Sequence, residues 1–177
     1  MTKHNSESGR TMLEMLGVLA IMGVIMYGAI AGIQFGVEIY KISATYNDLE
    51  ELAQGITDLY SWSRGYPQDN DKMITAVAYN NIIEAEPRAG GFAGRFGGST
   101  VAIGSVSSRD DGIKDQFYIT VNSLSASQCR RLKTKMSDSS IVRVLEATGA
   151  APVVVGASPT SCSDSSNRTN ILTVISR

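Results

Sequence analysis

Histidine is all but missing from this chain of 177 residues: it occurs once, as His4. A catalytic triad or a multi-histidine metal centre therefore has no parts to draw on. Cysteine occurs twice, as Cys129 and Cys162, which permits one intramolecular disulfide at most. Neither cysteine belongs to a CxxC or Cys/His grouping, so a structural zinc site is excluded on composition. No sign of charge is in excess: 16 Lys and Arg against 17 Asp and Glu give a formal net charge of −1. That balance is not the basic footprint of a dedicated nucleic-acid binder, and a mean hydropathy of −0.01 is too apolar for a disordered tail. Glycine (17) is plentiful and proline (4) scarce, without a collagen-like period.

What is present is unevenly placed. Met15 to Val37 are 23 consecutive residues without a charge. As a helix they span roughly 34 Å, enough to cross the ~30 Å hydrocarbon layer of a bilayer. The segment ahead of them, Met1–Gly9 (MTKHNSESG), is short and polar. An ordinary secretory signal would put a small-residue cleavage site and polar sequence after its apolar stretch. Here the apolar run continues into a patterned helix instead, which suits a membrane-inserted helix carrying a body outside the bilayer.

Glu14 stands at the head of that helix. At a bilayer centre a carboxylate costs about 2.5–3.5 kcal/mol, and less near the interface, so its presence asks for a partner. The string Gly9-Arg10-Thr11-Met12-Leu13-Glu14, followed at once by the apolar run, resembles the class III signal of a type IV pilin precursor. In that family a short polar leader ends in glycine, and the fifth mature residue is glutamate. The resemblance implies cleavage between Gly9 and Arg10 by prepilin peptidase and N-methylation of Arg10. It gives Glu14 an assembly role, attracting the N-terminal amine of a neighbouring subunit. Arg10 departs from the usual apolar first residue. It lies four residues before Glu14, so the two share a helical face and are expected to pair within one subunit.

The helix extends past the membrane. Phe35, Ile39, Ile42, Tyr46, Leu49, Ala53, Ile56 and Tyr60 recur at spacings of four and three, an apolar seam between solvated Glu38, Lys41, Asp48, Glu50, Glu51 and Asp58. From Thr11 to Ser63 the element would measure roughly 80 Å. Arg64-Gly65-Tyr66-Pro67 should end it. A seam of this kind fits a coiled-coil dimer, or packing on the chain's own body as the pilin resemblance implies. Gly28, Gly32 and Gly36, four apart, would let membrane helices approach closely.

Beyond Pro67 an α+β body is expected. Asp69-Asn70-Asp71 caps a short helix with the apolar face Met73, Ile74, Val77, Ala78 and Ile82. Ala89–Ser99, rich in glycine, reads as loop and lacks the context of a phosphate-binding loop. Strands follow at Thr100–Val106 and Gln116–Asn122, about a turn at Arg109–Gly112, and then a helix at Ser125–Met136. Further strands are expected at Ile141–Ala147, Pro152–Val155 and Ile171–Ile175. The run from Asp115 to Leu132, with Phe96-Gly97-Gly98 ahead of it, is similar to the type IVb pilin subgroup, in which a strand enters a helix bearing the first cysteine of a C-terminal disulfide loop. The resemblance thus implies a Cys129–Cys162 bond.

The expected architecture is a pilin fold: a long N-terminal α-helix, half membrane-inserted and half amphipathic, packed on an antiparallel sheet with a C-terminal disulfide loop. Its segments are a leader at 1–9, an apolar helix at 10–37, an amphipathic half at 38–64 and a globular head at 65–177. With the leader removed, no histidine remains. The carboxylate pairs Glu84/Glu86 and Asp110/Asp111 fall in helix-end or turn sequence, where solvation explains them, so no catalytic residues, cofactor or metal are expected. The basic stretch Arg130, Arg131, Lys133 and Lys135 reads as a solvated face. Asp164-Ser165-Ser166-Asn167 offers oxygen ligands without a calcium-loop pattern.

Taken together, the resemblance implies a structural subunit, most simply the major one, of a type IV pilus. Its partners would be further copies of itself, the bacterial inner membrane before assembly, prepilin peptidase, the assembly machinery, and a host or cell-surface receptor. Nucleic acid is not expected as a direct ligand. A pseudopilin of a type II secretion system and a membrane-anchored binding domain that never polymerises are the alternatives.

Overall fold

The computed structural model describes residues 7–107, 112–146, 159–164 and 168–176, with side chains from Met12 onward. The chain divides into two compact units, Met1–Tyr40 and Lys41–Arg177. One helix, α1 (Glu7–Tyr60, 54 residues), supplies the first unit and opens the second.

In the first unit every residue from Met12 to Val37 is exposed. The helix contains an 18-residue window of mean hydropathy 2.2, none of it buried. Exposed apolar surface on this scale marks a membrane or protein contact. A Cβ added at Gly17, Gly23, Gly28, Gly32 or Gly36 would meet nothing within 4 Å.

The second unit is a sheet with helices. Its strands are β1 (Pro87–Arg88), β2 (Gly91–Ala93), β3 (Thr100–Val106), β4 (Gln116–Leu124), β5 (Val142–Val144) and β6 (Asn170–Ser176), in the order β1-β2-β3-β4-β6-β5. Every neighbouring pair is antiparallel. The period of two in β4 buries Phe117, Ile119 and Val121. They share one core with Val101 and Ile103 of β3, Leu172 and Val174 of β6, and Ile42, Leu49, Leu52, Ala53 and Ile56 of α1. Each Val, Leu, Ile or Phe among them contributes about 1.5–3 kcal/mol when fully buried. Helix α2 (Asn70–Tyr79) adds Met73, Ile74 and Val77, and α3 (Ala126–Ser137) adds Cys129, Leu132 and Met136.

Local chemistry sets the ends. Asp69 caps α2, its side chain accepting from the Asp71 amide at 3.0 Å. Ser125 and Gln128 form a reciprocal capping box at α3. A register shift in β4 between Val121 and Leu124, with Ser123 at φ 62°, turns the chain into that helix. Helix α1 stops at Tyr60 rather than Ser63, because the Ser63 amide turns back to the Tyr60 carbonyl at 2.9 Å.

Several sequence expectations are corrected. The glycine-rich stretch 89–99 is not all loop, since Phe92, 1% exposed, holds β2 against Val101 of β3. Ile82 lies beyond α2, packed on Gly55 of α1. The seam of α1 begins at Ile42, because Phe35 and Ile39 are exposed, and it includes Thr45 and Leu52, which the four-and-three spacing omits. The strand expected at 141–147 shrinks to β5. The turn at 109–111 and the strand at 152–155 lie outside the described residues.

Candidate assembly site

Glu14 projects from an exposed turn of α1, and among the described residues it has no hydrogen-bond or ion-pair partner. Gly9 and Arg10 belong by backbone to the first turns of α1. The Arg10–Glu14 pairing lies outside the described side chains. From Glu14 the apolar surface continues to Val37, interrupted by no other ionisable side chain except the hydroxyl-bearing Tyr27.

Cys129 and Cys162 are bonded, with Cα atoms 5.5 Å apart and 33 positions apart in sequence. The bond ties α3 to the approach of β6. Ser161 pairs with Ile171 across an isolated bridge, and the Thr160 amide donates to the Leu145 carbonyl at 2.5 Å. The segment inside the disulfide is not purely loop, since it contains β5, the edge strand beside β6.

The basic stretch of α3 serves the same join. Arg130 Nη2 donates to Asp164 Oδ1 at 2.7 Å, and Lys133 Nζ lies 3.1 Å from Glu146 Oε1. Lys135 Nζ donates to Ser43 Oγ at 2.9 Å and stands 5.4 Å from the centre of the Tyr46 ring. Arg130, Lys133 and Lys135 are therefore engaged inside the head. Asp164, the first residue of the tested calcium string, is held by a guanidinium, and 165–167 lie outside the described residues. Among the described residues no group of three or more His, Cys, Asp or Glu could hold a metal ion.

Some residues gave no signal in sequence. Asn170 is fully buried at the start of β6; its Oδ1 accepts from the Ser163 amide at 2.7 Å and its Nδ2 donates to the Leu124 carbonyl at 3.3 Å. Asp48 and Arg95 form a two-bond ion pair that fastens α1 to the β2–β3 connection. Neither has a motif; both are defined by tertiary contact alone.

Three phenols are held neutral beyond their ordinary value. The Tyr46 hydroxyl donates to Glu50 Oε1 at 2.6 Å, and the carboxylate resists a second charge beside it. Burial raises Tyr60, and burial raises Tyr66 against an opposing contact with Thr57. Tyr66 packs edge-on between Tyr60 and Phe117, with ring centres 5.6 and 5.3 Å away.

The family model described as PilS N terminal matches residues 39–176. A toxin coregulated pilin of Vibrio cholerae serotype O1 (strain ATCC 39315 / El Tor Inaba N16961) is 26% identical over 172 residues, covering 96% of this chain and 76% of that protein. A second toxin coregulated pilin of Vibrio cholerae is 25% identical over 149 residues, with 84% of this chain and 66% of the relative covered. In fold, the crystal structure of a type IV b pilin from Salmonella typhi aligns with a TM-score of 0.52 at 16% identity, over 76% of this chain and 97% of that one. The family match runs from the amphipathic half of α1 through the last strand, over the disulfide-stapled head just described. This chain belongs to the PilS family: it is a type IVb pilin, a structural subunit of a pilus.

Proposed function

We propose that the mature subunit begins at Arg10, is held in the bacterial inner membrane by the apolar half of α1, and polymerises through that half into a surface fibre as its major pilin. The observation that carries this reading is the complete exposure of Met12–Val37 on a helix whose other half is buried in the head. Water does not tolerate such a surface, whereas lipid and then neighbouring copies would cover it. In this scheme prepilin peptidase cuts after Gly9. The first turn of α1 favours that step, because its amides have no intrahelical acceptors and open at least cost. Glu14 then sets register against the methylated amine of a neighbour, in a medium where an unpaired carboxylate is costly.

The glycines of the apolar half support intermolecular use. Each lowers helix stability by ~1 kcal/mol relative to alanine, and among the described residues none is required by a close neighbour. Close approach between helices, or local opening of one, gives them a purpose. The role is mechanical rather than enzymatic, and no catalytic residue is assigned. The Cys129–Cys162 bond favours a pilin over a calcium-stabilised pseudopilin.

An intact mass of the chain in the fraction sheared from producing cells tests the proposal. The expected mass starts at Arg10, carries one methyl group and lacks two hydrogens for the disulfide. A full-length chain found only in membranes would leave a signal-anchored domain instead.

A further inference from the structure

Trp62 is the only tryptophan in the chain and is 98% exposed, although no membrane or core claims it. It follows the end of α1, two residues ahead of Arg64, which lines a surface groove with Gly65, Tyr66, Gln68, Ile113 and Lys114. The corner is built, not loose. The Tyr66 amide donates to the Lys114 carbonyl at 2.7 Å, and Gln68 Nε2 donates to the Gly112 carbonyl at 2.9 Å. A Cβ at Gly65 would come within 2.6 Å of the Lys114 carbonyl oxygen, so the two segments touch backbone to backbone. Ile113 adds a second exposed apolar side chain, and among the described residues Arg64 and Lys114 have no ion-pair partner. An exposed tryptophan close to an arginine, beside a corner fixed by backbone hydrogen bonds, has the composition of an interface anchor.

The complementary surface is on the same chain. About 14 Å back along α1 from Tyr60, Glu51 faces outward. The connector after α2 passes that part of the helix, since Ile83 and Ala85 border the same small cavity as Asp48, Leu49 and Leu52. It carries exposed Glu84 and Glu86, and among the described residues these three carboxylates have no partner.

We infer that the Trp62 corner, with its Arg64 and Lys114 flanks, docks on the Glu51/Glu84/Glu86 strip of a second copy of this chain. Knob and strip are different surfaces, so the contact is heterologous, and where its rotation does not close a ring it propagates into an open helical array, as the filament requires. The inference rests on the filament reading above and adds to it a head-to-head contact, independent of the apolar helix.

Trp62 reports on itself. Acrylamide quenching and emission are compared between the full chain dispersed in detergent and sheared filaments. The expected result is a blue shift with several-fold weaker quenching in filaments. Equal quenching in both would overturn the contact and leave Trp62 open to some partner other than a copy. Arg64→Glu with Lys114→Glu is expected to lower filament yield about 30-fold, the scale of a lost hot spot. Adding Glu51→Lys, Glu84→Lys and Glu86→Lys to the same chain should restore it. A yield that stays low, while disulfide-bonded subunit remains abundant in the membrane, would overturn the acidic strip as the counterpart. Wild-type chain that never leaves the membrane would sink the filament reading and this contact with it, whereas wild-type filaments with an open Trp62 overturn the contact alone.

Discussion

The two halves of α1 are one continuous helix and obey opposite rules. Between Met12 and Val37 nothing is buried, and a Cβ at any of five glycines would find empty space. Between Ile42 and Ile56 the apolar side chains are 0–4% exposed, and a Cβ at Gly55 would collide with Ile82. Helix propensity cannot account for the difference, since both halves are helical. Burial accounts for it: the second half lays its apolar side chains into the head, and the first, among the described residues, buries none of them. On the proposed function, sequence in the first half answers to lipid and to other copies, and in the second half to the fold.

The strongest way to break this contrast is to place one carboxylate in each half. An unpaired buried charge costs several kcal/mol, so Ile56→Asp is expected to leave the head unfolded, seen as lost protease resistance. Ile25→Asp should leave the head's resistance unchanged and instead impair insertion, at about 2.5–3.5 kcal/mol for a carboxylate at mid-bilayer. Next comes the disulfide. Reduction, or Cys129→Ser with Cys162→Ser, is expected to lower head stability by about 3–4 kcal/mol in denaturant titrations, without changing the helicity of the apolar half.

A gentler comparison uses glycine. Gly55→Ala overpacks against Ile82 and should cost about 1–3 kcal/mol, although alanine is the better helix former. Gly28→Ala meets no neighbour and should stabilise its helix by about 1 kcal/mol, read from helicity in detergent. The mildest effect is alkaline. Tyr60 and Tyr66 have folded pKa values raised above 10.0 by burial, so the unfolded chain ionises first. Their contribution is fully present below about pH 10 and is lost as pH climbs through the folded values. Tyr66→Phe should flatten the loss of thermal midpoint above pH 10.

Much of this was legible in sequence because it rests on local pattern. The uncharged run, the cap at Asp69, strands β3, β4 and β6, and helix α3 announce themselves through period or capping chemistry, and the resemblance to type IVb pilins implied the disulfide on α3. Thr45 was missed because a hydroxyl in an apolar seam carries no hydrophobic signal. β2 was missed because three residues among glycines, held by one buried Phe92, look like loop until β3 is alongside. The Asn170 bond to Leu124, the Asp48–Arg95 pair and the Arg130–Asp164 pair join residues 46, 47 and 34 positions apart, Lys133 reaches Glu146 beyond its own helix, and no spacing rule reaches them. Likewise the exposure of Trp62 belongs to the fold, not to the residue type.

The bond between Cys129 and Cys162 has a consequence under load. A pulled polypeptide lengthens by paying out contour, and the 33-residue stretch between those positions holds about 110 Å of it. With the bond closed, tension entering at α1 and leaving at β6 passes from Cys129 to Cys162 across 5.5 Å and leaves α3 and β5 off the force path. Such a head is nearly inextensible through its C-terminal half, so strain imposed on an array of them is shed at the contacts between copies before the sheet can unravel.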